Sequence, residues 1–539
     1  MYKTEKYFKQ FPYFFSNRKL RDIESANDFI NPSKELLNDP FLLNSMDVAV
    51  DIILSNPKKS PIFIHGDCDA DGVSACAVLH NYLKKIGFKV HYYIPNRSFE
   101  GHAISRKAID YAASIGTKLM ITCDLGMSSV EEISYAKSKK INTIITDHHK
   151  TNDKIPEAKA IINPWLDENS KIDFREYSGS AVAFKLCHAI NLKLSLEFKY
   201  LYKLMDIASI GIISDKVSIT NENRYISYYG FNRILDGKNP ALSLLSKKLF
   251  PYLDRFDINK IIRVINMATK LEDSSLAVKL LSTNNPIQIN RYTNSIVKSF
   301  KKNQSKFNKA IYMSIKEASS QNYKDKNCIF ILADSDSAYN GSIANTLSNK
   351  HCIPVMAISK MNDSIYKGSC RSLNDINILS FIESQKDILI TLGGHPMAAG
   401  FTINENNINK MEASFFDFMK NKKIDTPDHS TRIIDGTLRL KDVNKDMISF
   451  FENFMPYGTK NNIPTFSTNN VELVGKPIII GRNKESIRFK VKQEDVIFEA
   501  IGIRLINEFE KLITKNKLNI EYTILNQGND IKLNILGVN

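Results

Sequence analysis

His65-Gly66-Asp67-Cys68-Asp69-Ala70-Asp71-Gly72 follows directly on the apolar run Ile62-Phe63-Ile64, and packing does not explain three carboxylates and an imidazole so close together. Ionised carboxylates at this spacing repel, each raising the others' pKa unless cations neutralise them. In an extended turn Asp69 and Asp71 point to the same side, so both grip one hard divalent ion or a pair of them. Taken alone, the stretch also reads as an Asp/Gly-rich solvent turn.

The arrangement recurs downstream. Leu119-Met120-Ile121-Thr122-Cys123 is an apolar run closed by Asp124, and Ile144-Ile145-Thr146 leads into Asp147-His148-His149. Helix-like stretches at 73–86 and 128–138 separate the runs. Strand, helix, strand, helix predicts βαβ units and a parallel sheet covered on both faces. All strands of such a sheet point one way, so residues at their carboxyl ends gather along one crevice. Asp69, Asp71, Asp124 and His148 are therefore expected to converge. Asp215, in Gly211-Ile212-Ile213-Ser214-Asp215-Lys216, follows an apolar helical run, where a lone Asp is most often a cap.

Mixed Asp/His ligands suit Mn²⁺ or Mg²⁺, and the absence of Cys at these positions disfavours a structural zinc site. Two such ions about 3.5–4 Å apart activate water and neutralise the charge developing on a phosphate under attack. The expected chemistry is hydrolysis of a phosphate ester or anhydride. There is no G-x-x-x-x-G-K-[ST] segment and so no Walker loop.

The whole chain has 539 residues, 73 Lys+Arg against 58 Asp+Glu, and a formal net charge of +15. That length suits about three or four domains, and the charge points to a polyanionic partner. No apolar run approaches the ~18 residues of a membrane span. The first residues lack an apolar signal core, and seven cysteines without a C-x-x-C pair suit a reducing, cytoplasmic compartment.

The pattern divides the chain into a helical lead-in (1–60), an α/β region (61–286), a basic helix (287–320), a second α/β region (321–430) and a small β domain (431–539). In the basic helix, Ile296, Phe300, Phe307, Ile311 and Ile315 fall at helical spacing among Lys298, Lys301, Lys302, Lys306 and Lys309. It reads either as a solvated face or as a connecting helix lining a cleft. Gly368-Ser369-Cys370-Arg371-Ser372 offers hydroxyls and a guanidinium fork suited to phosphate, and Gly393-Gly394-His395 sets one His among small residues. In the β domain, Ile487, Phe489 and Val491 alternate with Arg488, Lys490 and Lys492. A strand there buries the first set and presents the second, either as a Lys-guarded edge or as the face of an OB-type barrel tracking single-stranded nucleic acid.

These motifs, in this order, resemble the DHH phosphoesterase superfamily and, within it, the bacterial RecJ single-strand-specific exonucleases. His65 to Gly72 is similar to the first motif, Asp124 to the second, Asp147-His148-His149 to the naming triplet, Asp215 to the fourth, and Gly393-Gly394-His395 to the signature of the DHHA1 domain. Pro95-Asn96-Arg97, Glu100-Gly101, the segment 178–185, Glu222-Asn223-Arg224 and Met455-Pro456-Tyr457-Gly458 extend the likeness to RecJ. The resemblance implies an α/β fold class: a DHH domain (61–286) and a DHHA1 domain (321–430) joined by a long helix around a cleft, then an OB-fold (431–539). It implies His65, Asp69, Asp71, Asp124, His148 and Asp215 as ligands of two divalent metal ions, Mn²⁺ or Mg²⁺. His149 would face the scissile phosphate, Asp147 orient the site, Ser369 and Arg371 hold a terminal 5′-phosphate, and His395 touch the backbone. The activity implied is 5′→3′ exonucleolysis of single-stranded DNA in recombination and repair. A single-strand-binding protein and a RecQ-like helicase are the implied partners, with no membrane. A DHH phosphodiesterase acting on short oligoribonucleotides or cyclic dinucleotides and a non-catalytic scaffold are the alternatives. Departures from the pattern stand at His102 and Ala103, at 266–271 and at 339–341.

Overall fold

Alternation of side chains along a few short apolar runs builds the first sheet. Phe63, Met120 and Ile145 point to one face, while Ile62, Ile64, Leu119, Ile121, Cys123 and Ile144 point to the other. A computed structural model describes residues 2–97, 100–150, 154–166, 172–250, 257–320, 327–373, 376–420, 422, 432–481, 486–503, 505–506, 509–514, 517–527 and 530–538. The chain divides into two compact units, Met1–Phe300 with Ile433–Asn539, and Lys301–Arg432.

In the first unit, β1 (Ile62–Gly66), β2 (Val90–Tyr93), β3 (Leu119–Cys123), β4 (Asn142–Thr146) and β5 (Ala160–Ile162) form a parallel sheet in the order β2-β1-β3-β4-β5. Helices Ala70–Lys85, Gly179–Lys193 and Met205–Ser214 cover one face, and Arg106–Ser114 with Val130–Ser138 covers the other. The chain leaves β1 for β2 on one side and later returns to β3 on the other. This reversal of strand order opens a crevice at the carboxyl ends of β1 and β3.

The second unit holds β6 (Ile329–Leu332), β7 (Val355–Lys360), β8 (Ile365–Arg371), β9 (Leu389–His395) and β10 (Ala398–Asn404), a mixed sheet in the order β6-β7-β8-β10-β9. One helix, Pro286–Ser320, runs from the first unit into the second. Ile296 and Val297 pack in the first unit's core and Ala310, Ile311 and Ala318 in the second's, with Lys298, Lys301, Lys302, Lys306 and Lys309 exposed.

Ile433–Asn539, part of the first unit, contributes β11 (Gly436–Thr437), β12 (Phe466–Ile480), β13 (Ser486–Gln493), β14 (Val496–Gly502), β15 (Leu518–Gln527) and β16 (Asp530–Val538). β12 pairs with β13 over one half and with β15 over the other, closing the barrel through β14 and β16. Two α/β domains and an OB-type barrel, the architecture read from the sequence, are thus present. The lead-in splits by partner. Helices Tyr2–Gln10, Pro12–Ser16 and Ile23–Ile30 place Tyr7, Phe11, Phe14 and Phe15 in the core of the β domain beside Phe450, Phe451 and Phe454, while Met46–Ser55 packs on the parallel sheet. No helix among the described residues is long and apolar enough to cross a membrane.

Arg224 ties the β domain to the parallel-sheet domain. Its buried guanidinium donates to the carbonyls of Asn453 (3.2 Å), Phe454 (2.9 Å) and Met455 (2.9 Å), just past helix Lys445–Glu452, and to that of Phe29 (2.9 Å). A helix carboxyl end suits a cation, and charged donors make the stronger hydrogen bonds. Arg224→Ala should lower stability by about 3 kcal/mol or more, read as a drop in the guanidinium chloride midpoint. A loss under about 1 kcal/mol would mean that the apolar contacts hold the domains together unaided.

Candidate metal centre

Gly66 is the register partner of Cys123, and Cys123 of Thr146, so β1, β3 and β4 end on one line. Pairing runs one residue further: Asp67 N–H donates to Cys123 O at 3.1 Å, Asp124 N–H to Thr146 O at 2.9 Å, and Asp147 N–H to Ile162 O at 3.1 Å. Three acids therefore stand side by side at the mouth of the crevice, and Asp67 belongs to the row. The sequence reading did not place Asp67 among the ligands. Its signal was available: it is the first residue past β1, as Asp124 is past β3.

Beyond Asp67 the chain does not form an extended turn. Asp69 caps helix Ala70–Lys85, its carboxylate accepting the Asp71 and Gly72 N–H groups at 3.0 Å, and Asp71 lies in the first helical turn. Asn266 Oδ1 accepts Ala70 N–H at 2.7 Å, and Thr269 Oγ1 donates to Cys68 O at 2.8 Å, so the 266–271 segment holds this loop from outside. The Asp71 carboxylate in turn accepts Gly179 N–H (2.6 Å) and Ser180 N–H (2.9 Å), the amino end of helix Gly179–Lys193. A fully buried Lys185–Glu222 pair at 2.8 Å anchors that helix.

His148 joins the acids. Its Nε2 is 2.9 Å from Asp124 Oδ1 and 4.0 Å from Asp71 Oδ2, and its Nδ1 is 3.7 Å from Asp215 Oδ2. Ligand atoms within 4.8 Å of one another come together as Asp67/Asp69/Asp124, Asp71/His148/Asp215 and Asp124/His148/His149. Asp215 ends helix Met205–Ser214 and turns its carboxylate to this cluster. Asp147 points elsewhere. Its oxygens accept Met127 N–H (3.0 Å), His148 N–H (2.7 Å) and His149 N–H (3.1 Å), and lie 2.7 Å from His149 Nδ1. It shapes the loop that carries both histidines. His65 is buried on β1: its Nε2 accepts Ser105 N–H at 3.2 Å, its Nδ1 has no hydrogen-bond partner among the described residues, and the Asp67 charge acts on the ring.

The electrostatics describe a pocket made for cations. Burial, then the charges of Asp71, Asp69 and Asp67, push the Asp124 carboxyl well above its usual range. Burial followed by Asp71 and Asp69 pushes Asp215 up to about 8, and burial lowers His148. The hydrogen bond to Asp147 raises half-exposed His149 to about 9, which makes it an imidazolium at neutral pH. Asp124 Oδ1 and His148 Nε2 are buried and have no hydrogen-bond partner, although they face each other at 2.9 Å. Buried polar atoms rarely go unpartnered. Hard oxygen donors with one imidazole fit Mn²⁺ or Mg²⁺, so Asp67, Asp69, Asp71, Asp124, His148 and Asp215 have both the geometry and the donor chemistry to hold divalent metal.

The other predicted residues lie on two sheets. Ser369 and Arg371 are on β8, 3.4 Å apart through Oγ and Nη1, and a Cβ on Gly341 would stand 3.3 Å from Arg371 Nη2 and 3.4 Å from Ser369 Oγ. The pair therefore faces the start of helix Asn340–His351. Arg371 pairs across to Ala398, and Ala398 to His395, which ends the exposed strand β9 in a hairpin. On β13, Ile487, Phe489 and Val491 are buried and Arg488 and Lys490 exposed, with Lys492 at the margin. Glu499 is register partner to Lys490 and Glu472 to Lys492, so this row of bases carries interleaved acids.

Comparison with known proteins agrees with this anatomy. The DHH family N-terminal domain matches residues 61–212, the DHHA1 domain 326–421 and the RecJ OB domain 434–529. The chain is 28% identical to the single-stranded-DNA-specific exonuclease RecJ of Bacillus subtilis over 92% of its own length, spanning 63% of that relative. It is 26% identical to the protein so named in Haemophilus influenzae, covering 90% of this chain and 88% of that one. The crystal structure of RecJ from Thermus thermophilus in complex with Mn²⁺ superposes with a TM-score of 0.79 at 20% identity, over 99% of this chain and 76% of that one, a likeness of fold.

A Cβ on Gly179 would lie 2.3 Å from Asp124 Cβ and 2.4 Å from its Oδ1. Gly179→Ala should therefore displace Asp124 and weaken Mn²⁺ binding about 10- to 100-fold by titration calorimetry, with the circular dichroism spectrum retained. Unchanged affinity in a folded variant would remove Asp124 from the ligand set.

Proposed function

The chain belongs to the DHH family, with DHHA1 and RecJ OB domains, and on that premise we propose that it is a metal-dependent exonuclease that degrades single-stranded DNA from the 5′ end. One observation carries the reading: four acids from two strand ends and a helix start (Asp67, Asp69, Asp71, Asp124) meet His148 and Asp215 at the switch point of the parallel sheet. Divalent ions bound there would activate water and offset the charge that develops on the phosphate. His149, held as an imidazolium by Asp147, supplies a positive hydrogen-bond donor toward a phosphate oxygen. Helix Gly179–Lys193 and the 266–271 segment keep the carboxylates from drifting apart under their own repulsion.

Selection of the strand and its end falls to other residues. Ser369 and Arg371 offer a hydroxyl and a guanidinium fork beside the amino end of a helix, a setting suited to a terminal 5′-phosphate. His395 lies on the same row of the sheet, and in this reading it touches the strand's backbone. Arg488, Lys490 and Lys492 on the barrel hold the trailing strand electrostatically. Single-stranded DNA is the substrate in this reading, and a single-strand-binding protein and a RecQ-like helicase the protein partners, in recombination and repair. The seven free cysteines suit work in the reducing cytoplasm.

Three variants separate these roles on end-labelled single strands and duplexes. Asp124→Ala should lower cleavage about 100-fold or more with Mn²⁺ while strand binding persists. Wild-type digestion by that variant would refute the site. Arg371→Ala should reduce the preference for 5′-phosphorylated over 5′-hydroxyl ends by roughly tenfold, from the loss of a charged hydrogen bond; an intact preference would move the end pocket elsewhere. Replacing Arg488, Lys490 and Lys492 together by Ala should shrink the slope of log affinity against log salt by about 2, at ~0.7 per phosphate contact. An unaltered slope would leave β13 a solvated face. Faster turnover of dinucleotides than of long strands would favour the short-oligonucleotide phosphodiesterase instead.

A further inference from the structure

The loop after β1 carries a second ligand set, of which the proposed hydrolysis uses only Asp67. Cys68 Sγ, His102 Nδ1 and a carboxylate oxygen of Asp67 all lie within 4.8 Å of one another. His102 Nδ1 is 2.8 and 3.1 Å from the two Asp67 oxygens and 3.6 Å from Cys68 Sγ. Gly101, at φ +75°, turns the chain back so that its carbonyl, 3.0 Å from Cys68 Sγ, and the following imidazole both face the loop. Cys68 and Asp67 are buried, and the His102 side chain is half exposed. The set is therefore closed on the protein side and open to solvent at the imidazole.

We propose that Cys68, His102 and Asp67 form a second cation site, which takes a thiophilic divalent ion of the Zn²⁺ class and leaves its remaining position to water. The donors decide the ion. One thiolate and one imidazole favour Zn²⁺ over Mg²⁺, whereas the neighbouring acids, with a single imidazole, favour the harder ions. Binding forms a sulfur–metal bond and releases the thiol proton to solvent. His102 binds through the Nδ1 lone pair, with its proton on Nε2, and exchanges the Asp67 hydrogen bond for shared coordination.

Asp67 belongs to both sets, since it also groups with Asp69 and Asp124. An ion held by Cys68 and His102 draws on the same carboxylate, so Zn²⁺ at this site competes with the acidic cluster and suppresses hydrolysis. That consequence rests on the nuclease reading; the site itself does not.

Cobalt(II) reports a thiolate ligand through a charge-transfer band in the near ultraviolet. Titrating the full chain with Co²⁺ should raise such a band to saturation at one ion per chain, reversed by Zn²⁺ and not by Mg²⁺. Cys68→Ser should abolish it and Cys352→Ser leave it intact, while His102→Ala weakens Co²⁺ binding at least tenfold. Mn²⁺ calorimetry on Cys68→Ser should match the wild type, which separates loss of the thiol from loss of the fold. No band in the wild-type chain, or a band that survives Cys68→Ser, overturns the site. A band in a chain that fails to bind Mn²⁺ would sustain this site and strike instead at the reading of the acidic cluster.

Discussion

Because Gly66, Cys123 and Thr146 share one register line, the next residues of three adjacent strands must stand together, and all three are acids. Backbone pairing fixes their Cα positions whatever their side chains prefer. Two more carboxylates on the following helix start, and a third at the end of Met205–Ser214, increase a repulsion that burial makes more severe. Such a cluster destabilises the fold unless something positive resides in it. The supporting contacts fit that strain: Asp71 is clasped by two helix N–H groups and Asp147 by three loop N–H groups.

Much of this was legible in the residues. Apolar runs closed by acids announced a parallel sheet with a polar crevice, and alternation along 487–492 announced a strand with one basic face. What escaped the reading depended on geometry that spacing does not encode. Asp69 and Asp71 were expected on an extended turn, yet the loop after Asp67 goes straight into a helix, and capping rather than a period of two decides where they point. Asp67 was passed over because its equivalence to Asp124 lies in the ladder, not in the linear motif. Gly179 shows its purpose only once Asp124 is seen against its Cα. His65, grouped with the ligands by resemblance, accepts the Ser105 N–H on Nε2 and keeps a buried Nδ1 without a hydrogen-bond partner among the described residues.

The bases on the barrel are less uniform than the alternating pattern suggested, since Glu472 and Glu499 sit opposite two of them. In the proposed reading, interleaved acids weaken a purely electrostatic grip on a polyanion. The second unit spaces its candidate side chains differently. Arg371, Ala398 and His395 occupy one row across three strands, so a guanidinium and an imidazole are spaced by sheet geometry rather than by a flexible loop.

The packing of Tyr7, Phe11, Phe14 and Phe15 among Phe450, Phe451 and Phe454 has a kinetic consequence. These aromatic rings leave the ribosome more than four hundred residues ahead of the surface that shelters them, and at 5–20 residues per second the wait is roughly twenty seconds to over a minute. Throughout that interval they form a sticky, unpartnered patch on a nascent chain. Completion of the barrel is thus a late event that seals the two extremes of the described chain together, and a chaperone that shields aromatic segments would have its longest task early in translation.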